Sequence, residues 1–360
     1  MKRVLVVFTG GTIGSKKQHK SIHVAQDGAY AILEEYKRLA DCRQDIILDT
    51  VQPLNILSEN LTPQDWQVLA TAIHAVDKSQ YDGILVTHGS DTLAYTAAMM
   101  SYLFANISIP LVFTASNYPI ADERSNGIRN FSHSLDFIAE ACLPGIFVVY
   151  ENDQGAANVY LGTQITQCES FTDQFGSPYN IVYGTMQERR FVWQQHERNP
   201  RPEVLASKPL PFDWTPDSLR LESDIVYIKP YPGLQYNYYT FGESKPRAVL
   251  HDLHHSGTAC AVEQEPYSLL RFMERCRAAD IDLYICPVKD AAAAMYSSSV
   301  ALIEAGAIVI ENMSIEAAMT KLMLAYSLHD DPSDSKQFML HTSVYYEQGN
   351  QANENRMTVD

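Results

Sequence analysis

Positive charge is scarce in this sequence. Its 360 residues carry 27 Lys and Arg against 43 Asp and Glu, a formal net charge of -16. A surface of that sign repels phosphate backbones and anionic lipid, so nucleic acid and membrane surfaces are poor partners and small molecules are favoured. Long apolar runs are missing too: no stretch approaches the roughly 20 residues that a membrane helix requires. The six cysteines, Cys42, Cys142, Cys168, Cys260, Cys276 and Cys286, make no CxxC pair and no zinc-like spacing. They read as reduced, structural thiols. Neither the Gly-Lys-Ser/Thr ending of a P-loop nor the G-x-G-x-x-G spacing of a dinucleotide fold is found in the glycine run near the N-terminus. Met1-Lys2-Arg3 before an apolar stretch imitates the start of a secretory signal, but the stretch ends at Phe8 and runs into glycines. A first strand and a cytoplasmic protein are the expectation.

What the sequence does have is a hydroxyl displayed on a tight turn. In Phe8-Thr9-Gly10-Gly11-Thr12-Ile13-Gly14-Ser15, glycines follow an apolar strand directly. Their backbone freedom lets Thr12 be presented at the carboxyl end of a strand, where α/β sheets bind ligands. An ordinary strand-to-helix turn with a capping Thr has the same local sequence, and this segment alone does not separate the two. A second segment of the same kind, Tyr81-Asp82-Gly83-Ile84-Leu85-Val86-Thr87-His88-Gly89-Ser90-Asp91-Thr92, leads from a short strand into a hydroxyl-rich turn. The apolar spacing of Leu93, Ala97, Met100, Leu103 and Phe104 predicts a helix after it. Ser90 and Asp91 then sit at a helix N-terminus, and two such turns on neighbouring parallel strands point into one crevice.

Strands expected at 4–8, 45–48, 83–86, 110–114 and 145–150 alternate with helices at 29–39, 63–76, 92–104 and 125–142. That alternation implies right-handed crossovers and a doubly wound, mainly parallel α/β sheet. A Pro-, Gln- and charge-rich stretch follows, with Pro200, Pro202, Pro209, Pro211 and Pro216. It reads as a linker. Alternation resumes at 225–228, 248–253, 267–277, 281–286, 297–305, 307–310 and 315–325. The expected organisation is an N-terminal domain at 1–190, a linker at 191–219 and a smaller α/β domain at 220–360. The tail after Asp330 mixes polar and aromatic residues, and from Gln348 a frayed, charged end is expected.

Thr9-Gly-Gly-Thr-Ile-Gly14 and Thr87-His-Gly-Ser-Asp-Thr92 together resemble the two signatures of the bacterial-type L-asparaginase/glutaminase family, more closely its cytoplasmic type I branch. Pro53-Leu-Asn-Ile-Leu-Ser-Glu-Asn-Leu-Thr-Pro-Gln-Asp-Trp66 is similar to the family's substrate loop and following helix. Thr114-Ala-Ser-Asn-Tyr-Pro119 with Arg124-Ser-Asn-Gly127 is similar to its third signature. By motif order the likeness covers residues 1 to about 180 and, more weakly, about 224 to 328. It implies a two-domain fold, a homodimer or homotetramer, no cofactor, no metal, and hydrolysis of L-asparagine or a related small amide. By the same resemblance Thr12 is the nucleophile and Ser90 the second catalytic hydroxyl, where the family usually has Thr. Asp91 binds the α-ammonium, Ser58 and Glu59 the α-carboxylate and α-amino groups, Gly11 and Gly89 line the pocket, and the Ser116 carbonyl accepts from the leaving amide.

Three departures accompany the resemblance. Gln167 falls where the family has its catalytic lysine, and an amide takes no proton at neutral pH. Ser21 falls near the family's active-site Tyr. Lys16, Lys17 and Lys20, in the same lid, read as solvated surface residues. Leu250-His-Asp-Leu-His-His-Ser-Gly-Thr-Ala259 replaces a Gly- and Asn-containing turn that in the family reaches a neighbouring subunit's site. Within it His251, His254 and His255 raise a metal reading, but neighbours on a strand point to opposite faces. A hydrogen-bonded site or interface role for His251, His254 and His255 is the expectation. Together the changes suggest altered substrate choice rather than a lost fold.

Overall fold

The computed structural model describes residues 1–11, 15–18, 21–24, 28–205, 210–242, 244–290 and 294–349. Two compact units are formed. The first is Met1–Leu219 with Val344–Asp360, the second Arg220–Ser343.

Chain order in the first unit is β1 (Lys2–Phe8), β2 (Ser15–Gln18), β3 (Ser21–Val24), α1 (Gly28–Arg38), β4 (Ile46–Val51), α2 (Pro63–His74), β5 (Gly83–Thr87), α3 (Leu93–Leu103), β6 (Pro110–Thr114), α4 (Gly127–Ala141), β7 (Gly145–Glu151), β8 (Ala157–Leu161), β9 (Gly184–Gln187) and β10 (Arg190–Trp193). The main sheet runs β10-β9-β8-β7-β6-β5-β1-β4. From β4 to β7 every pairing is parallel. The inner strands β1, β5, β6 and β7 are near-continuous apolar runs, as parallel strands covered on both faces are, and β5 and β6 are buried at every residue. The start of α2 is fixed by Asp65, whose carboxylate accepts from the backbone N–H of Thr62 at 2.7 Å and from its hydroxyl at 2.6 Å. β2 and β3 form a separate antiparallel pair.

The second unit contains β11 (Ile225–Ile228), β12 (Ala248–Asp252), α5 (Leu269–Ala278), β13 (Asp282–Val288), α6 (Ser297–Glu304), β14 (Ile308–Glu311), α7 (Ile315–Leu328) and α8 (Pro332–His341). Its four strands are parallel in the order β11-β12-β13-β14. Val249, Phe272, Ile285 and Leu302 are at the centre of its core.

The structure departs from the sequence expectations at three places. Beyond β7 the main sheet continues antiparallel through β8, β9 and β10. The β9–β10 connection is two residues, Glu188 and Arg189, both at positive φ (46° and 67°). Such a turn ordinarily announces itself as Asn-Gly. Here the Arg189 guanidinium is tied to the buried Asp136 carboxylate at 2.9 Å and to the Asp41 carbonyl at 2.8 Å, contacts that no local pattern reveals.

Residues 191–219, expected as a linker, belong to the first unit. Asn199 donates to the Val182 and Gln194 carbonyls at 2.9 and 3.0 Å. The Trp214 indole donates to the Leu103 carbonyl at 2.9 Å and packs on His74 and Phe104. Proline-rich composition excludes helix and central strand here, but it does not exclude packing.

The chain end is the third place. α8 is an N-capped helix, the Asp331 carboxylate accepting from Ser333 N at 2.8 Å. The segment from Val344 then groups with the first unit rather than with 220–343. Tyr345 is buried there, its hydroxyl accepting from Ile146 N at 2.7 Å, while Thr163 Oγ1 donates to its carbonyl at 2.7 Å. Two aromatics in a polar tail were the available signal, and burial is what they serve. Residues 350–360, expected to fray, are outside the described residues.

Candidate active site

The carboxyl ends of β1, β4 and β5 converge through their backbones. Thr9 Oγ1 donates to the Thr87 carbonyl at 2.9 Å, Gly11 N to the Ile56 carbonyl at 2.8 Å, and Ile56 N to the Thr9 carbonyl at 3.0 Å. The turn after β1 is thereby stapled to the loops after β5 and β4. Gly11 has φ +75°, and a Cβ built on it would be 2.5 Å from Gly89 N. A Cβ on Gly89 would be 2.3 Å from Ser58 Oγ. Only hydrogen fits at either place. Hence the residue before Thr12 touches the residue before Ser90, and both lie against the Ser58 loop. Thr12 itself is outside the described residues.

Around this contact the structure gathers most of the expected site. Ser58 is buried, and its hydroxyl donates to Asp91 Oδ2 at 3.5 Å. Its carbonyl accepts from Thr92 Oγ1 at 3.0 Å. Glu59 and Asp91 are exposed and Ser90 is half-buried. The N-cap position of α3 is Thr92, with no side-chain cap bond. Asp91 is therefore not spent on capping. Gln167 Nε2 donates to the Asp91 carbonyl at 3.3 Å, which puts that amide on the same turn. The next residue, Cys168, is no thiolate: burial first, then the Asp173 and Asp91 charges, push its thiol up to about 12.

Ser116 is wholly buried, its hydroxyl 2.9 Å from Ser125 Oγ and donating to the Tyr118 carbonyl. Its loop is clamped by three asparagine side chains that composition did not flag. Asn117 N donates to Asn126 Oδ1 at 3.0 Å and Asn126 N to Asn117 Oδ1 at 3.1 Å. Asn130 Nδ2 donates to the Ala115 carbonyl at 2.9 Å while its Oδ1 accepts from Glu151 N at 2.7 Å. Asn126 stands in the Arg124-Ser-Asn-Gly127 motif, and that position was the one signal available.

The lid residues and the histidines of the second unit stand apart from this description. Ser21 is in β3 and Lys16 and Lys17 in β2, but their side chains, like all of Lys20, are outside what is described. His255 is exposed in the second unit, 3.0 Å from Ser256 Oγ. His251 is buried, 2.8 Å from the Tyr236 hydroxyl, and His254 is exposed in a turn closed by its N–H on the Thr258 carbonyl at 2.8 Å. Among the described residues no three His, Cys, Asp or Glu side chains are grouped to hold a metal ion. Nor is any described helix long and apolar enough to cross a membrane.

Two buried imidazoles carry a pH consequence. Burial pushes His88 in the first unit and His251 in the second down from 6.5 to about 4, against smaller upward effects of the carbonyls they face. Their native forms stay neutral while the unfolded chain takes up protons below pH 6.5. Stability is therefore complete above that value and is lost progressively as pH falls toward 4, by roughly 3 kcal/mol for each imidazole. Urea unfolding at pH 7.5 and pH 4.5 is expected to show both units weakened at the lower value. Equal midpoints would mean that these rings are charged or exposed in the native state.

Comparison with known proteins gives the chain's relatives. Residues 3–199 match the family model described as Asparaginase, N-terminal. The chain is 32% identical over 238 residues to L-asparaginase of Thermococcus kodakarensis, covering 64% of this chain and 65% of that protein. It is 31% identical over 183 residues to L-asparaginase 1 of Escherichia coli strain K12, covering 49% of this chain and 51% of that one. The matches thus span about half to just under two thirds of those relatives. The solved thermostable L-asparaginase from Thermococcus kodakarensis superposes with a TM-score of 0.76 at 25% identity, covering 96% of this chain and 98% of that one.

Proposed function

We propose that this chain, which belongs to the asparaginase family, is an amidohydrolase that converts L-asparagine and water to L-aspartate and ammonia through an ester on Thr12. One observation carries the reading: the turn that precedes Thr12 and the turn that bears Ser90 and Asp91 are packed backbone to backbone, with one loop against both, Ile56 on the first and Ser58 on the second. In the reaction Thr12 Oγ bonds to the amide carbon, the C–N bond breaks, and ammonia leaves with the hydroxyl's proton. Water then attacks the ester carbon, releasing aspartate and restoring the hydroxyl. Asp91 is the counter-charge for the substrate's ammonium, and Ser58 and Glu59 complete the hold on its charged end. Ser116, held in its clamped loop, accepts from the leaving amide through its backbone carbonyl. Family likeness extends the reading to a cytoplasmic homo-oligomer that needs no cofactor. Acid quench during turnover followed by intact-mass measurement tests the chemistry. A mass increase of one aspartyl group on the peptide containing residue 12 is expected, and an adduct on any other residue would refute the assignment.

A second reading has its own observation. Gln167 stands where a lysine would accept a proton, and its amide is committed to the Asp91 carbonyl. A protein that binds the amino acid but does not turn it over fits that fact. Gln167→Lys separates the two. If a missing base limits the chain, turnover of L-asparagine rises about 10²-fold and acquires the pH profile of an amine. A fall in turnover shows that Gln167 belongs to a working site and removes the silent reading.

A further inference from the structure

Behind the Gly89–Ser90 peptide is a line of buried polar groups drawn from three elements: His88 after β5, Thr96 on α3 and Trp66 on α2. Trp66 Nε1 is 2.9 Å from Thr96 Oγ1, which is 3.1 Å from His88 Nε2, and His88 Nδ1 is 2.9 Å from the Gly89 carbonyl. Trp66 is 5% exposed, Thr96 0% and His88 1%. Donor and acceptor chemistry favours one direction. An indole nitrogen can only donate, so Thr96 Oγ1 accepts from it and turns its own proton toward His88 Nε2. Nδ1 then holds the ring's proton and gives it to the Gly89 carbonyl. The opposite tautomer would leave two acceptors facing each other at 2.9 Å in a buried place.

We propose that this relay is the positioning device for Ser90. Gly89 lacks a side chain, so its own conformation is loosely restricted, and its neighbours Gly11 and Ser58 leave it no room to acquire one. What sets the rotation of the peptide that joins it to Ser90 is the hold on its carbonyl. Because the peptide is planar and trans, fixing the Gly89 carbonyl toward His88 fixes the Ser90 N–H in the opposite direction and the plane in which the Ser90 Cα lies. Trp66, Thr96 and His88 touch no reacting atom. They act through Ser90, and the inference rests on the role proposed above for that hydroxyl.

Thr96→Val keeps the shape of the side chain and removes its oxygen, while Thr96→Ser keeps the oxygen. The valine variant is expected to lower kcat for L-asparagine about tenfold or more with KM within about twofold, since a small misplacement of a reacting group costs rate before it costs binding. Thr96→Ser is expected to recover most of the loss. An unchanged kcat in Thr96→Val, or a serine variant as slow as the valine one, would overturn the proposal. A second measurement does not depend on turnover. Long-range 1H–15N correlation of the wild-type imidazoles, with His88 assigned by its absence in His88→Gln, is expected to show a neutral ring protonated at Nδ1. A ring protonated at Nε2 cannot hold the Gly89 carbonyl and would overturn the proposal even in a fully active enzyme. Conversely, a wild-type protein without amidase activity would count against the proposed function while the spectrum still decides the relay.

Discussion

Gly11→Ala is expected to abolish turnover and to lower the stability of the first unit by about 2–5 kcal/mol, the sum of left-handed backbone strain and overpacking against a neighbouring loop. The added methyl at φ +75° would meet the Gly89 backbone at 2.5 Å, and main-chain atoms have no rotamer into which to retreat. The turns must separate, and the backbone contact that unites the site is the first thing lost. Urea unfolding with parallel activity measurement checks both parts. Near-normal stability with normal turnover would mean that the two turns are not in contact.

Thr12→Ala is expected to leave folding nearly intact and to do to activity what Gly11→Ala does. Loss of a covalent nucleophile leaves only the catalysis that surrounding groups supply, so turnover should fall at least about 10³-fold. Removing one hydroxyl from a turn should change stability by less than about 1 kcal/mol. Binding of L-aspartate, followed by calorimetry, should persist. A variant retaining a tenth of wild-type turnover would transfer the nucleophile's role elsewhere.

The parts of this molecule that were legible in the sequence are those whose physics is local. Fully buried parallel strands such as Ile84-Leu85-Val86 announce themselves as apolar runs, and glycines beside hydroxyls mark turns at their ends. Ser90 and Asp91 were found in this way, whereas Ser58 came from the family resemblance, and the fold brings its hydroxyl to Asp91. Contacts far apart in sequence were not legible. The Glu188–Arg189 hairpin depends on Asp136, 53 residues away from Arg189, and Tyr345 is anchored on Ile146, 199 residues away. His88 shows a third kind of limit. It stands inside a quoted motif, yet its task is set by Thr96 and Trp66, whose side chains read simply as parts of two helices. Proline-rich 191–219 misled for a related reason, since composition reports the absence of regular structure and not the absence of partners.

Ammonia release from L-asparagine by the purified chain tests the central claim most directly. The account predicts ammonia and aspartate in equal amounts, at a rate that falls to background in Thr12→Ala. Release no faster than in Thr12→Ala, in a protein that calorimetry shows to bind L-asparagine, would contradict it.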